Sequence, residues 1–423
     1  MERPEKRMGT LARVLSRALH TEKERLEAEV NDRPRGEVFL DEPHALETVL
    51  QRVLGKTPQI IKERALAPEL VEELLGMPGG EREAAVAMQA RFQTYSLASC
   101  LLDRCDKVVS QDPGKARELA QLARAVAEQA DPRTSGGSAA LTDLEAYALA
   151  MEGNAQRVAN ELWEAHRTFL EARRIQEHGG ADPDLAGRID LLEASLRRDL
   201  RQFAAALDLL EKAERVFIAL KDRNLQARTI INRANVFLVK RELDSVVMNL
   251  QRALPLAQDP WLGLVVRHNL IFAFAECGRP HEAAELYNAS KDLYLQFTDP
   301  LTTSRKVWAE GLIARELDED LGLAEQLLTQ AAESLAQHGY PLDAALAGLD
   351  LVTVYAHRGQ ASEVLRVATN LLNLFQMEHL HPETFAALKI IHEAAERESV
   401  NLSLLAEVAE KIRANQVRGN PAS

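Results

Sequence analysis

The sequence predicts an all-α protein, a right-handed α-solenoid of stacked helical hairpins behind a small helical N-terminal module. Three observations predict it. A helix–corner–helix pattern recurs along the chain at near-constant intervals. Ala, Leu, Glu and Arg dominate the composition, and all four favour helix. Each hairpin is too short to bury its own apolar face, so copies must stack to make one continuous core.

The stretch "LVTVYAHRGQASEVLRVATNLLNLF", Leu351 to Phe375, shows the unit: a helix, a one-glycine corner and a second helix. The corners "RDLRQFAAALDLLEKA", "VKRELDSVVMNLQRA", "AECGRPHEAAELYNAS", "ARELDEDLGLAEQLLTQA" and "AHRGQASEVLRVATNL" repeat it. Anchored on Gln202, Glu242, Arg279, Glu319 and Gln360, they lie 40, 37, 40 and 41 residues apart. A more divergent copy turns at Gly153-Asn154. Further copies pair "RFQTYSLASCLLDRC" with "GKARELAQLARAVAEQ", and "PETFAALKIIHEAAERE" with "NLSLLAEVAEKIRAN".

Other residue types fit the same scheme. Ala206, Ala213, Ala283, Ala284, Gly311 and Ala324 are small where helices must approach. Gly153, Gly278 and Gly359 suit helix C-termini that need a left-handed backbone. Pro260, Pro300, Pro341 and Pro382 stand near helix starts, where a missing N–H costs nothing.

Residues 1–90 lack this rhythm and read as the separate module or cap. A charged helix to about Val30 carries Leu11, Val14, Leu15, Ala18 and Leu19 on one side. Short helices are expected around 43–54, 59–65 and 67–75. The array then spans 91–415, with its most loop-like stretch at Ala130–Thr142, and 416–423 forms a frayed tail.

Bulk composition limits the function. With 46% apolar and 27% charged residues the chain is a folded protein. A net charge of -13 argues against direct nucleic-acid binding, which needs clustered Lys and Arg. No apolar run reaches the roughly 18 residues of a membrane helix. The N-terminus is no secretory signal, and three unpaired cysteines fit a reducing cytoplasm.

Chemistry is sparse. His281 and His392 each begin "HEAAE", but Glu285 and Glu396 stand where a zinc helix needs its second histidine. His379 and His381 lack a third ligand nearby. No phosphate loop and no nucleophile motif is present, so no metal, no cofactor and no enzymatic activity is expected.

The informative polar residues lie in "NLQARTIINRANVFLVK". Arg228, Asn232 and Asn235 share one helix face, although asparagine is a poor mid-helix residue. Asn269 stands one repeat after Asn232, and Asp350 two repeats later again.

At these residues the chain resembles the tetratricopeptide repeats, 34-residue helical hairpins with small residues at their packing positions. The resemblance is strongest over 183–378. It departs from the family in its longer spacing, in corner glycines replaced at Leu200 and Arg241, and in aliphatic residues at the aromatic positions. Longer helices of this kind resemble the divergent arrays of large bacterial regulators and scaffolds. In such arrays the first helices line a concave groove. The resemblance therefore implies that Arg228, Asn232, Asn235, Asn269, Arg305 and Asp350 line a partner-binding groove, with Trp308 as a stacking face. The other reading is that the asparagines tie neighbouring helices together, and that Trp163, Trp261 and Trp308 are packing residues. Chaperone-binding members clamp a terminal carboxylate; Asn235, Asn269 and Arg305 match that pattern, but Ile231 and Ala309 stand where it needs cations.

The expected function is that of a non-enzymatic scaffold or adaptor holding a peptide or helix of another protein, with self-association open. A ligand- or peptide-gated regulator is the alternative, and an enzyme with its site in 1–90 a third reading.

Overall fold

The computed structural model describes residues 61–133, 135–317, 321–378, 382–397 and 399–419. The expected N-terminal helix and the His379–His381 pair lie outside them. The described residues are mostly helical and include no strand. They form two compact units, one ending at Leu196 and one beginning at Arg197. The expected module boundary at 90/91 falls inside the first unit.

The first unit holds α1 (61–76), α2 (Gly79–Met88), α3 (Tyr95–Val108), α4 (Pro113–Gln129), α5 (Ser138–Val158) and α6 (Leu162–Gln176). Most of α7 (Pro183–Asp199) also belongs to it. The second unit holds α8 (Phe203–Ala219), α9 (Arg223–Val239), α10 (Leu243–Ala253), α11 (Pro260–Glu276), α12 (Pro280–Tyr294) and α13 (Pro300–Leu317). It continues with α14 (Leu321–Gln337), α15 (Pro341–His357), α16 (Ala361–Glu378), α17 (Pro382–Glu396) and α18 (Leu402–Gly419). Residues 416–419, expected as frayed, continue that last helix.

Where two short helices were expected around 59–75, α1 runs unbroken through Pro68. Proline removes one hydrogen bond there, while Ala67, Val71 and Leu74, buried along one face, favour continuing the helix.

The corners are built alike. Gln202, Glu242 and Arg279 are the N-cap residues of α8, α10 and α12, as their spacing predicts. The residue before each is left-handed: Arg201 (φ 61°), Arg241 (65°) and Gly278 (68°), with Gly359 (67°) before α16. The N–H groups of Gln202, Glu242, Arg279 and Gln360 donate to carbonyls five residues back, at 2.8–3.0 Å. This is the Schellman closure, which satisfies the end of one helix while aiming the chain at the next. The left-handed residue of the first corner is Arg201, not Leu200.

Gly153 is a correction. It lies inside α5, and the turn comes at Asn160 (φ 65°). A Cβ on Gly153 would stand 3.0 Å from the Phe169 ring of α6, so the glycine serves close helix packing. Gly311 does the same job between α13 and α14, where a Cβ would come within 2.9 Å of Leu328.

Three helices open on a capping Asp followed by Pro: α4, α11 and α13. The carboxylates of Asp112, Asp259 and Asp299 each accept from a backbone N–H three residues on, at 2.8–3.1 Å. Pro113, Pro260 and Pro300 take the first helical position.

Burial separates the two kinds of helix. α14 buries a single stripe, Ala324, Leu328, Ala331 and Leu335. α15 buries nearly every residue from Asp343 to Tyr355, because α14 and α16 both pack against it. Ala283 on α12 is fully buried. Ala283→Leu is expected to cost roughly 1–3 kcal/mol by overpacking, read as an earlier thermal melt; an unchanged melt would place that face in solvent.

Candidate functional site

Polar and aromatic side chains of the second unit link successive first helices. On α11, His268 packs on Phe272 with ring centroids 4.6 Å apart. Phe272 meets Trp308 of α13 edge-on at 4.7 Å. The Trp308 indole Nε1 donates to Asp350 of α15 at 2.7 Å, and Arg315 Nη1 donates to the other oxygen of the same carboxylate at 2.5 Å. Arg305 Nη2 reaches both oxygens of Asp343 at 3.2 Å. Three first helices, α11, α13 and α15, are thus joined side chain to side chain.

The electrostatics follow from burial. Desolvation opposes the charge on Arg315, but the Asp350 and Glu316 carboxylates outweigh it and hold the guanidinium more firmly protonated. His268 bonds through Nδ1 to the Tyr294 hydroxyl at 2.8 Å. Burial first, and the Arg305 cation second, push its pKa down to about 3, so it is neutral at physiological pH. Burial pushes the Tyr294 phenol up.

The asparagine stripe on α9 is more enclosed than a free groove face would be. Asn232 is 2% exposed and Asn235 5%. Asn232 Nδ2 donates to the Arg228 carbonyl of its own helix at 3.2 Å. Asn235 Nδ2 is buried and has no acceptor among the described residues. Arg228, and Asn269 on α11, are half-buried. Of the seven predicted residues, Trp308 and Asp350 are brought into direct contact and buried; Arg305 is paired one turn away.

The tryptophans take three different places. Trp308 is in the core, Trp261 packs edge-on to Phe297 at 5.3 Å, and Trp163 is exposed. His268, Phe272, Asp343 and Arg315 were not foreseen. A signal for the first existed: His268 and Trp308 stand 40 residues apart, one repeat interval, and so at one level of adjacent first helices.

Two solved structures share this architecture. A Rap protein complexed with competence and sporulation factor superposes with a TM-score of 0.54 at 14% identity, over 76% of this chain and 87% of that one. The apo form of RapI gives 0.51 at 12% identity, over 74% and 85%. The chain has a tetratricopeptide-like repeat fold. No protein-family model and no curated protein matches the sequence. Among the described residues no helix is long and apolar enough to cross a membrane.

Proposed function

We propose that the chain is a regulatory repeat protein that binds an extended peptide along the first helices of its second unit, in the region of Arg228, Asn232, Asn235 and Asn269. The observation that carries this reading is Asn235. A buried amide donor without an acceptor costs free energy unless something supplies the acceptor; a peptide carbonyl is the matching group, and it reaches Asn235, 5% exposed in this structure, once neighbouring side chains move aside. Asn269 is half-exposed on α11, the next first helix of the array. An asparagine amide offers a donor and an acceptor together, the pair that a peptide backbone presents in reverse. That a Rap protein of the same fold was solved with competence and sporulation factor bound supports a ligand in this fold. The joined first helices α11, α13 and α15 would carry the effect of binding along the unit.

Asn235→Ala is expected to leave the melting temperature unchanged or raise it, because alanine is the better helix former and the unmet donor is removed. Capture of short peptides from a random library on the full chain is expected to fall roughly 5- to 100-fold, the range for one or more lost hydrogen bonds. Early melting with normal capture per folded molecule would end this assignment and leave the asparagines as helix staples.

A further inference from the structure

The outer face of α6 carries a second feature, independent of the peptide reading. Trp163 is 73% exposed and Leu170 is 53% exposed. Arg167 and Arg174 are exposed on the same helix. At about 100° per residue the four fall within an arc of about 60°. The opposite side of α6 is the packed one, with Ala165, Phe169 and Ala172 buried. An indole this open to water gains little for the fold, and tryptophan, with tyrosine and arginine, is enriched at the energetic centres of protein contacts.

The two arginines are unusual for this unit. Arg82, Arg91, Arg104, Arg117, Arg124, Arg173 and Arg188 are each paired with a carboxylate. Arg173 bridges α6 to α7, with Asp190 at 2.6 Å and Glu193 at 2.8 Å. Its neighbour Arg174, and Arg167, make no ion pair among the described residues, although the chain has 64 acidic side chains against 51 basic ones. Two guanidinium groups that make no ion pair among the described residues, although Glu164, Glu171 and Glu177 stand three or four residues away, therefore alternate with two exposed apolar side chains. Each pair is spaced seven residues apart, about 10 Å along the helix.

We propose that this face docks an amphipathic helix of an acidic partner protein. The required complement is specific: two carboxylates seven residues apart on one side of the partner helix, with aliphatic residues between and beyond them. Leucines would cover Trp163 and Leu170 while the carboxylates meet Arg167 and Arg174 as two-pronged ion pairs.

The test uses the full chain and a dye-labelled, end-capped helical peptide carrying Glu at i and i+7 with Leu on the same stripe. A second peptide has Lys in place of both Glu. Fluorescence anisotropy is expected to show saturable binding of the acidic peptide to the wild type and at least tenfold weaker binding to Trp163→Ala. The Arg167→Glu/Arg174→Glu variant is expected to reject the acidic peptide and take the lysine peptide instead. All three positions are exposed, and unchanged thermal melts confirm that the variants are folded. Equal binding of the acidic peptide by wild type and charge-reversed protein overturns the proposal, as does failure of the wild type to bind it. A wild-type dimer that Trp163→Ala turns into a monomer would make a second copy the occupant and also overturn it. Binding to phosphatidylglycerol vesicles that charge reversal abolishes, without peptide binding, would assign the face to lipid and reject it likewise.

Discussion

Asp350→Ala is expected to destabilise the second unit by about 3–5 kcal/mol, the range for removing one partner of a buried ion pair. Asp350 is 7% exposed and accepts from Trp308 and Arg315 at once. Without its carboxylate, the indole N–H and one arm of the guanidinium lose their acceptor inside the protein, where neither reaches water freely. Arg315 keeps Glu316 through Nε at 2.9 Å, which softens but does not cancel the loss. In a unit of this size the change corresponds to a fall of roughly 10 °C in melting temperature. Asp350→Asn is the informative control. It fills the same space and keeps an oxygen for one donor but turns an N–H toward the other, so it should lose less than Asp350→Ala without restoring wild-type stability. A melt indifferent to Asp350→Ala would mean that the carboxylate is solvated and that α13 and α15 are held by apolar packing alone. The result also bears on function. If Asp350 and Trp308 fasten first helices together, a variant there weakens ligand binding only through the fraction folded. Asn235→Ala, by contrast, should weaken binding at full stability.

Much of the fold was legible because its signals are local. A corner needs a left-handed residue and a following cap, and Gln202, Glu242 and Arg279 mark those places within one residue. Proline at a helix start and alanine at a tight contact are equally local demands. Gly153 misled because glycine answers two different needs. It permits a left-handed turn, and it permits a neighbouring ring to come close; only the position of Phe169 decides between them. The site was legible in part. Helical spacing shows that Arg228, Asn232 and Asn235 share a face. It does not show whether neighbouring helices cover that face, and Asn232 and Asn235 are covered. The partners of Asp350 lie 42 and 35 residues back in the chain, on the helix one repeat earlier. Such pairs become visible only when the stacking of repeats is known, not from the pattern within one of them.

The second large effect concerns acid. His268 is held neutral by burial and by the Arg305 cation, its pKa pushed down to about 3 from an ordinary 6.5. In the unfolded chain it takes up a proton as the pH falls through about 6.5. Between about pH 6.5 and pH 3 the unfolded state therefore holds one more proton than the folded state. Stability rises with pH across that window and is lost as the pH falls, by up to about 1.4 kcal/mol per unit. From pH 7 to pH 4 this group alone would withdraw about 3 kcal/mol. Above pH 6.5 it contributes no slope. Protonation would set a second cation beside Arg305, whose own carboxylate partner Asp343 is already engaged. The Tyr294 hydroxyl at 2.8 Å can accept from an imidazolium but supplies no charge to balance it. His268→Gln isolates the effect, since glutamine can keep a hydrogen bond to Tyr294 and does not titrate. Thermal or denaturant melts of both proteins from pH 8 to pH 4 should give curves that run parallel above pH 7. Below it they should converge, the gap closing by the amount that wild type loses to protonation, and they cross where that loss exceeds the variant's initial deficit. Curves that stay parallel down to pH 4 would show that His268 ionises in the folded protein as it does in water, and that α11 admits solvent at this point.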